Sequence, residues 1–160
     1  MADLEELLDA ARRHAEGGPP LPTTVAPAEH LAILTCMDVR IDPLAIFCLR
    51  PGQAHLLRNA GARVTEDVLR SLALSSRLME VDTVLVLGHT GCALFGVTDE
   101  ELRRRTGASL DFLAIEDHHS ALRRDVNRVV ATDYLQLRTV AGLLYDVSTR
   151  RVSLAEVVRR

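Results

Sequence analysis

Tryptophan and lysine are absent from this 160-residue chain, and aromatic residues make up only 3% of it. All nineteen basic residues are arginine, which we interpret as a coding bias without functional content. Charge of one sign does not dominate either, because the formal net charge is −3. Nucleic acids and anionic membranes attract strongly basic proteins, so neither is expected as a partner of this chain.

Long apolar runs are also missing, and no stretch approaches the roughly 20 consecutive apolar residues that span a bilayer. Acidic residues (Asp3, Glu5 and Glu6) stand where a secretory signal peptide would carry positive charge. Cysteine is scarce, and its odd count of three argues against a disulfide framework. We therefore expect a cytoplasmic protein whose cysteines are reduced thiols, available for metal binding or catalysis.

The chain does contain enough apolar material for one ordinary domain, since 48% of its residues are hydrophobic and 26% are charged. Residues 3–15 place leucine and alanine on one stripe of an amphipathic helix, and the Gly/Pro-rich segment 17–22 ends it. We expect residues 1–22 to form an N-terminal helix and linker arm, and residues 23–160 to form a single α/β domain. A lone helix of about four turns is marginal in water, so its apolar stripe must dock on its own domain or on a second subunit.

Beyond the arm, strand patterns alternate with helix patterns. Predicted strands cover residues 30–35, 54–58, 83–87 and 140–147, with a possible short edge strand at 151–154, and predicted helices cover 43–47, 65–79, 98–107 and 115–131. Because strands joined by helical crossovers run parallel, this alternation predicts an α/β fold. We expect a mainly parallel β-sheet with central order 2-1-3-4, a possible antiparallel edge strand, flanking helices and an N-terminal helical arm.

Two motifs follow the carboxyl ends of predicted strands: Cys36-Met37-Asp38-Val39-Arg40 and His89-Thr90-Gly91-Cys92. Either motif alone is more often incidental than functional, and Asp38 with Arg40 is compatible with a surface ion pair. If the two strands are neighbours, however, the motifs converge where ligands bind in open α/β sheets. Two thiolates and one imidazole would then supply three ligands of a tetrahedral zinc site with an open fourth position, which is the catalytic pattern.

The sequence resembles the β-class carbonic anhydrases, and most closely their short actinobacterial members. The resemblance rests on the motifs 36–40, 57–61 (Leu-Arg-Asn-Ala-Gly) and 88–92, and it continues in order to the predicted strand 143–147. It implies that residues 23–160 form a zinc-binding catalytic domain with one zinc ion per chain, bound by Cys36, His89 and Cys92. The implied activity is reversible hydration of carbon dioxide to bicarbonate and a proton by a zinc-bound hydroxide.

The resemblance also implies roles for the residues beside the metal. Asp38 would accept a hydrogen bond from the hydroxide, and Arg40 would hold Asp38 in place. In some members the aspartate instead binds the metal as a fourth ligand and closes the site. A homodimer or higher even oligomer is implied as well, with the N-terminal helix reaching across to the partner. Some members carry a regulatory bicarbonate site built with tryptophan, which is not predicted here because this chain has none.

Other candidate residues receive ordinary interpretations. Cys48 follows an apolar helical turn and is expected to be a small core residue, while His55 lies within a predicted strand and is expected to be structural. His118 and His119 begin a polar helix, where exposure is the simplest expectation. Arg58 belongs to the 57–61 motif and is expected to support the site or a subunit contact.

Three functional alternatives follow from the same residues. A carbonyl sulfide hydrolase on this fold would share the metal motifs, and only the residues lining the substrate pocket would distinguish it. A non-catalytic zinc-binding domain would have no use for the Asp38–Arg40 pair. Nucleotide binding is the weakest alternative, because no glycine-rich phosphate-binding motif follows any predicted strand.

Overall fold

Residues 3–160 are described by a computed structural model, and their strands form one five-stranded sheet. The strands are β1 (Leu31–Cys36), β2 (Ala54–Asn59), β3 (Thr83–His89), β4 (Thr139–Tyr145) and β5 (Val152–Arg159). The helices are α1 (Leu4–Gly17), α2 (Pro43–Ile46), α3 (Glu66–Leu78), α4 (Asp99–Thr106) and α5 (His118–Val130), with a single 3₁₀ turn at Ala60–Ala62.

The strand order is β2-β1-β3-β4-β5, which confirms the predicted α/β fold and its central order. β1 pairs in parallel with both β2 and β3, and β3 pairs in parallel with β4. β5 pairs antiparallel with β4 and runs from Val152 to Arg159, so the edge strand is longer than the predicted segment 151–154. The ladder shifts register between Gly142 and Leu143, where a β-bulge interrupts it.

Both faces of the sheet are covered, which explains why β1 and β3 are almost continuously apolar. The main core lies on the side of α3 and α5, and a smaller cluster packs on the opposite face. The largest fully buried side chains include Ile33, Leu34, Leu72, Leu87, Val84, Val86, Val126 and Val129.

Side-chain caps set the starts of the helices on the functional side. Thr65 accepts a hydrogen bond from the Val68 backbone N–H at the start of α3, and Thr98 accepts one from Glu101 at the start of α4. α5 begins at His118, three residues later than predicted, because Asp117 accepts from the Ser120 N–H and acts as its N-cap.

α1 confirms the predicted N-terminal helix, yet none of its residues is buried. Its apolar side chains Leu4, Leu7 and Leu8 are exposed. Within residues 3–160, no helix combines the length and the hydropathy needed to cross a membrane.

The expectations for Cys48 and His118 were wrong. Cys48 is exposed and adopts a left-handed backbone (φ 54°), because the chain reverses after α2 and the flanking Phe47 and Leu49 occupy the apolar side instead. His118 is partly buried, since its ring stacks on Phe95 with centroids 4.4 Å apart. The neighbouring His119 is exposed, as expected.

Candidate metal centre

Cys36, His89 and Cys92 meet at the carboxyl edge of the sheet. Cys36 ends β1, His89 ends the neighbouring β3, and Cys92 lies in the turn that follows. One nitrogen of the imidazole and the two sulfur atoms lie within 4.8 Å of one another. The three residues are only 5%, 2% and 6% exposed, respectively. The parallel pairing of β1 with β3 brings the two sequence motifs together.

The imidazole of His89 is oriented for a metal. Its Nδ1 lies 2.9 Å from the backbone carbonyl of Thr90, so this nitrogen donates and Nε2 keeps its lone pair. Nε2 is buried and has no hydrogen-bond partner among the described residues. Leaving such an atom unsatisfied is unfavourable, whereas a metal ion would satisfy it. Together with two sulfur atoms, this nitrogen forms a donor set that fits zinc.

The two sulfur atoms lie in different environments. The Gly61 backbone N–H points at the Cys36 Sγ, with 3.4 Å between nitrogen and sulfur. Burial raises the pKa of the Cys92 thiol above its usual range, and the nearby Cys36 sulfur raises it further, although a hydrogen bond from the Leu94 backbone opposes the shift. Without a cation, Cys92 therefore resists ionisation, so a bound metal would supply the positive charge that its thiolate needs.

Asp38 forms a two-point ion pair with Arg40 beside these ligands. The Arg40 Nε donates to Oδ1 at 2.9 Å and Nη2 donates to Oδ2 at 2.6 Å. These hydrogen bonds hold the pKa of Asp38 well below its usual range, so the carboxylate is ionised and can only accept hydrogen bonds. Asp38 Oδ2 also lies 3.8 Å from the His89 Nε2.

Two arginines connect the motifs to one another. The Arg40 Nη2 also donates to the Gly91 carbonyl at 2.9 Å, which ties the first motif to the loop that carries Cys92. Arg58 donates to the carbonyls of Cys36 (3.0 Å) and Asp38 (2.8 Å) and fixes the backbone between them. Of the two roles expected for Arg58, the structure shows the one within the site.

An apolar cleft opens beside the ligands, and we call it the metal-side cleft. Its volume is about 250 Å³. It is lined by Cys36, Met37, Asp38, Ala60, Gly61, Cys92, Ala93, Leu94, Leu102 and Phe112. A lining with one carboxylate and otherwise apolar or sulfur groups suits a small uncharged substrate.

Comparison with known proteins identifies the family. A family model described as "Carbonic anhydrase" matches residues 31–133. "Beta-carbonic anhydrase 1" of Mycobacterium tuberculosis is 38% identical over 143 residues, which cover 82% of this chain and 85% of the relative. The chain belongs to the β-class carbonic anhydrases.

Further similarities agree with that assignment and add one neighbouring activity. The crystal structure of a carbonic anhydrase from Streptococcus mutans superposes with a TM-score of 0.82 at 32% identity, covering 98% of this chain and 99% of that one. A "Carbon disulfide hydrolase" of Acidianus is 33% identical over 103 residues, which cover 64% of this chain and 47% of the relative. Membership in the β-class makes this chain an enzyme of the carbonic anhydrase type.

A buried ion pair behind this carbonic anhydrase site was missed by sequence reasoning. Arg63 follows the 3₁₀ turn and Asp125 lies in α5; they are 5% and 4% exposed, and Arg63 Nε donates to Asp125 Oδ2 at 2.7 Å. One signal was available in the sequence, because Asp125 occupies a position on the apolar stripe formed by Leu122, Val126 and Val129. An acidic residue on such a stripe requires a buried partner.

The expectation that His55 is a structural residue is confirmed. His55 contacts the Ser75 hydroxyl through Nδ1 and the Val25 carbonyl through Nε2, each at 2.9 Å. Both ring nitrogens are engaged in fastening the segment before β1 to α3, so His55 is not available to the metal centre.

Proposed function

We propose that this chain catalyses the reversible hydration of carbon dioxide to bicarbonate and a proton, with one zinc ion per chain held by Cys36, His89 and Cys92. The observation that carries the proposal is the buried Nε2 of His89, which has no hydrogen-bond partner among residues 3–160 and belongs to a cluster with two cysteines that line an apolar cleft. Family membership supports carbon dioxide and bicarbonate as the substrate class.

When bound, zinc would act as a Lewis acid that lowers the pKa of a coordinated water to roughly 7, so that a nucleophile forms at neutral pH. Asp38 would orient the nucleophile by accepting its O–H hydrogen, because an ionised carboxylate has no proton to donate. Arg40 keeps Asp38 ionised and fixes the orientation of its carboxylate. The hydrogen bond from Arg40 to the Gly91 carbonyl holds the loop that carries Cys92. The apolar lining of the metal-side cleft would suit the entry of uncharged carbon dioxide.

Removal and restoration of zinc tests this proposal. The purified protein is expected to contain one zinc per chain and to accelerate carbon dioxide hydration in a stopped-flow assay. Stripping with a chelator should abolish the acceleration, and adding one equivalent of zinc should restore it. Equal rates before and after stripping would exclude a zinc-dependent mechanism.

Hydrolysis of carbonyl sulfide is the second candidate function. It is favoured by the similarity to a carbon disulfide hydrolase and by the apolar lining of the cleft. Both candidate substrates are small, linear and uncharged, so the metal ligands do not discriminate between them. Parallel assays with carbon dioxide and carbonyl sulfide distinguish the two candidate functions. Slow hydration of carbon dioxide together with rapid release of sulfide would replace the first proposal with the second.

The chain is further proposed to form a homodimer or a higher even oligomer. The apolar stripe of α1 is uncovered, and β2 forms an edge of the sheet with Leu56 exposed. We propose that residues 1–22 form an arm that docks on a second copy, and that residues 23–160 form the catalytic domain. Docking there would remove from water both the apolar stripe and the exposed edge.

A reducing, cytoplasmic compartment is proposed as well. The three cysteines are free thiols, and two of them serve as ligands only in the reduced state. Cell fractionation should find the protein with cytoplasmic markers.

A further inference from the structure

The turn between β2 and α3 holds a strained backbone next to the metal centre. Gly61 has φ 76° and Ala62 has φ 57°, so two consecutive residues are in the left-handed region and one of them carries a side chain. This conformation is unfavourable for alanine and persists only where the surroundings fix it. It directs the Gly61 N–H to the sulfur of Cys36.

Hydrogen bonds to Arg63 and Val64, the two residues that follow the turn, hold the turn in this conformation. The Asn59 side chain bonds both backbone groups of Arg63, accepting from its N–H at 2.9 Å and donating to its carbonyl at 2.7 Å. Asp125 accepts from the Val64 N–H at 3.0 Å through Oδ1 and from Arg63 Nε at 2.7 Å through Oδ2. Both charged side chains are almost completely buried.

The same guanidinium reaches the wall of the metal-side cleft. Arg63 Nη1 donates to the carbonyl of Leu113, the residue after Phe112, which lines the cleft. Leu113 itself has a positive φ of 55°. One buried ion pair therefore connects α5 to the turn beside the Cys36 sulfur and to the segment that forms the cleft wall.

Stability alone does not account for this arrangement. Removing two charges from water is unfavourable, and well-packed apolar side chains of similar volume are often at least as stabilising as a buried ion pair. What the pair provides that apolar residues do not is directed hydrogen bonding to the Val64 N–H and the Leu113 carbonyl. Those bonds fix backbone that touches the site.

We propose that Asp125, acting through Arg63, is a positioning residue of the metal centre. It holds the turn 60–62 so that the Gly61 N–H donates to the Cys36 sulfur, and it anchors the cleft wall through Leu113. A hydrogen bond to a metal-binding sulfur withdraws electron density from it, which tunes the charge on the metal. The inference rests on the proposed function only in taking Cys36 as a zinc ligand.

The test compares Asp125→Asn with the unmodified chain. Asparagine can still accept from the Val64 N–H, but its amide group would then place N–H against the donors of Arg63. We expect zinc affinity, measured by competition with a chelator, to fall by roughly 10- to 100-fold, as is usual when a residue supporting a ligand is lost. In the cobalt-substituted protein, the thiolate-to-cobalt absorption band should shift.

Val129→Ala is the control for a purely structural effect. Val129 lies on the same helix but packs near Val140, at the opposite end of the sheet from the metal ligands. This variant should lower the melting temperature while leaving zinc affinity and the cobalt band unchanged. If Asp125→Asn changes zinc affinity no more than Val129→Ala and leaves the band in place, the inference is wrong.

A second variant keeps the test decisive if Asp125→Asn does not fold. The double substitution Arg63→Met/Asp125→Leu removes both charges, so neither remains buried without its partner. It should fold and still show the shifted band and weakened zinc binding, whereas tight binding with an unshifted band would overturn the inference. Zinc affinity and the cobalt absorption band are measured without carbon dioxide turnover. A failure of the proposed function would therefore not be mistaken for a failure of the inference about Asp125.

Discussion

Asp38 uses both of its carboxylate oxygens to accept hydrogen bonds from Arg40, and its Oδ2 lies 3.8 Å from the Nε2 of His89. With Asp38 turned to Arg40, the three residues that could hold a metal ion are Cys36, His89 and Cys92. In the proposed function, this pair would distinguish a site that performs chemistry from one that only binds a metal.

Asp38→Asn isolates the charge of that carboxylate. The asparagine side chain keeps the shape of aspartate, but its amide nitrogen is a hydrogen-bond donor. That nitrogen would face the N–H donors of Arg40, so one of the two hydrogen bonds of the pair would be lost. Because loss of such a partner usually reduces activity by roughly 10- to 100-fold, we expect kcat for carbon dioxide hydration to fall by that factor with zinc content unchanged. Asp67→Asn, which removes an exposed ion pair with Arg70 on α3, is the control and should retain full activity. Full activity in Asp38→Asn would remove the role assigned to it.

Arg40→Met tests the electrostatics of the pair through the pH dependence of stability. The folded state lowers the pKa of Asp38, so the pair stabilises the fold above the ordinary aspartate pKa of about 3.9, and this contribution is lost as pH falls below it. In metal-free protein, the urea midpoints of Arg40→Met and the unmodified chain should differ more at pH 7 than at pH 3. An equal difference at both pH values would contradict the ion-pair interpretation.

At the residue scale, short-range patterns predicted the cluster of Cys36, His89 and Cys92 and the Asp38–Arg40 pair, because each motif directly follows an apolar strand. Arg63 and Asp125 are 62 positions apart, and nothing local in the sequence pairs them. Burial of Cys48 was predicted wrongly because a helix of four residues does not determine which side chain the following reversal exposes.

Among the elements, the parallel register of β1 with β3 brings Cys36 and His89 together. Helix α5 packs against the sheet in the main core. Alternation of strand and helix patterns predicted a mainly parallel sheet, whereas the central order was a separate expectation that the pairing of β1 with β2 and β3 confirms. The extent of β5 was not predictable from its own residues, because Glu156 and Arg159 interrupt the apolar pattern and pairing with β4 determines its length. The start of α5 depends on its cap at Asp117 rather than on its stripe.

Gly142→Ala tests the close approach of α5 to β4. A Cβ at this position would lie 3.1 Å from Val126 Cγ2 and 3.3 Å from Leu122 Cβ, so these side chains of α5 would have to shift by a few tenths of an ångström. Overpacking of this kind costs about 1–3 kcal/mol of unfolding free energy, measurable by urea denaturation. Gly17→Ala has nothing within 4 Å and should not destabilise the protein. A Gly142→Ala variant as stable as the unmodified chain would show that α5 does not pack as closely as described.

For the whole molecule, the uncovered stripe of α1 and the exposed edge at β2 are the surfaces on which the proposed second copy would dock. The division into an arm (1–22) and a catalytic domain (23–160) remains a prediction. The segment 18–30 contains no helix or strand, which agrees with the predicted linker and leaves α1 connected through extended chain. The sequence predicts the apolar stripe of α1 but does not predict the surface on which it would dock in the proposed oligomer.

Leu7→Glu/Leu8→Glu tests the proposed docking of α1. Two charges on the stripe would have to be buried at the interface, so the variant should sediment as a monomer while the unmodified chain sediments as a dimer or larger even oligomer. Arg13→Glu changes the charge by the same amount on the opposite side of α1 and should leave association intact. An unmodified chain that is monomeric, or a double variant that remains dimeric, would contradict the proposal.

The most direct measurement is carbon dioxide hydration by zinc-supplemented Cys92→Ser beside Cys48→Ser. Cys92 is a buried ligand candidate, whereas Cys48 is an exposed thiol that belongs to no candidate metal site among residues 3–160. Cys48→Ser should match the unmodified chain in zinc content and hydration rate, and Cys92→Ser should lose zinc and fall to the uncatalysed rate. Equal hydration rates in the two variants, or an unmodified zinc-loaded chain no faster than buffer, would contradict a zinc-dependent carbon dioxide hydratase at this site.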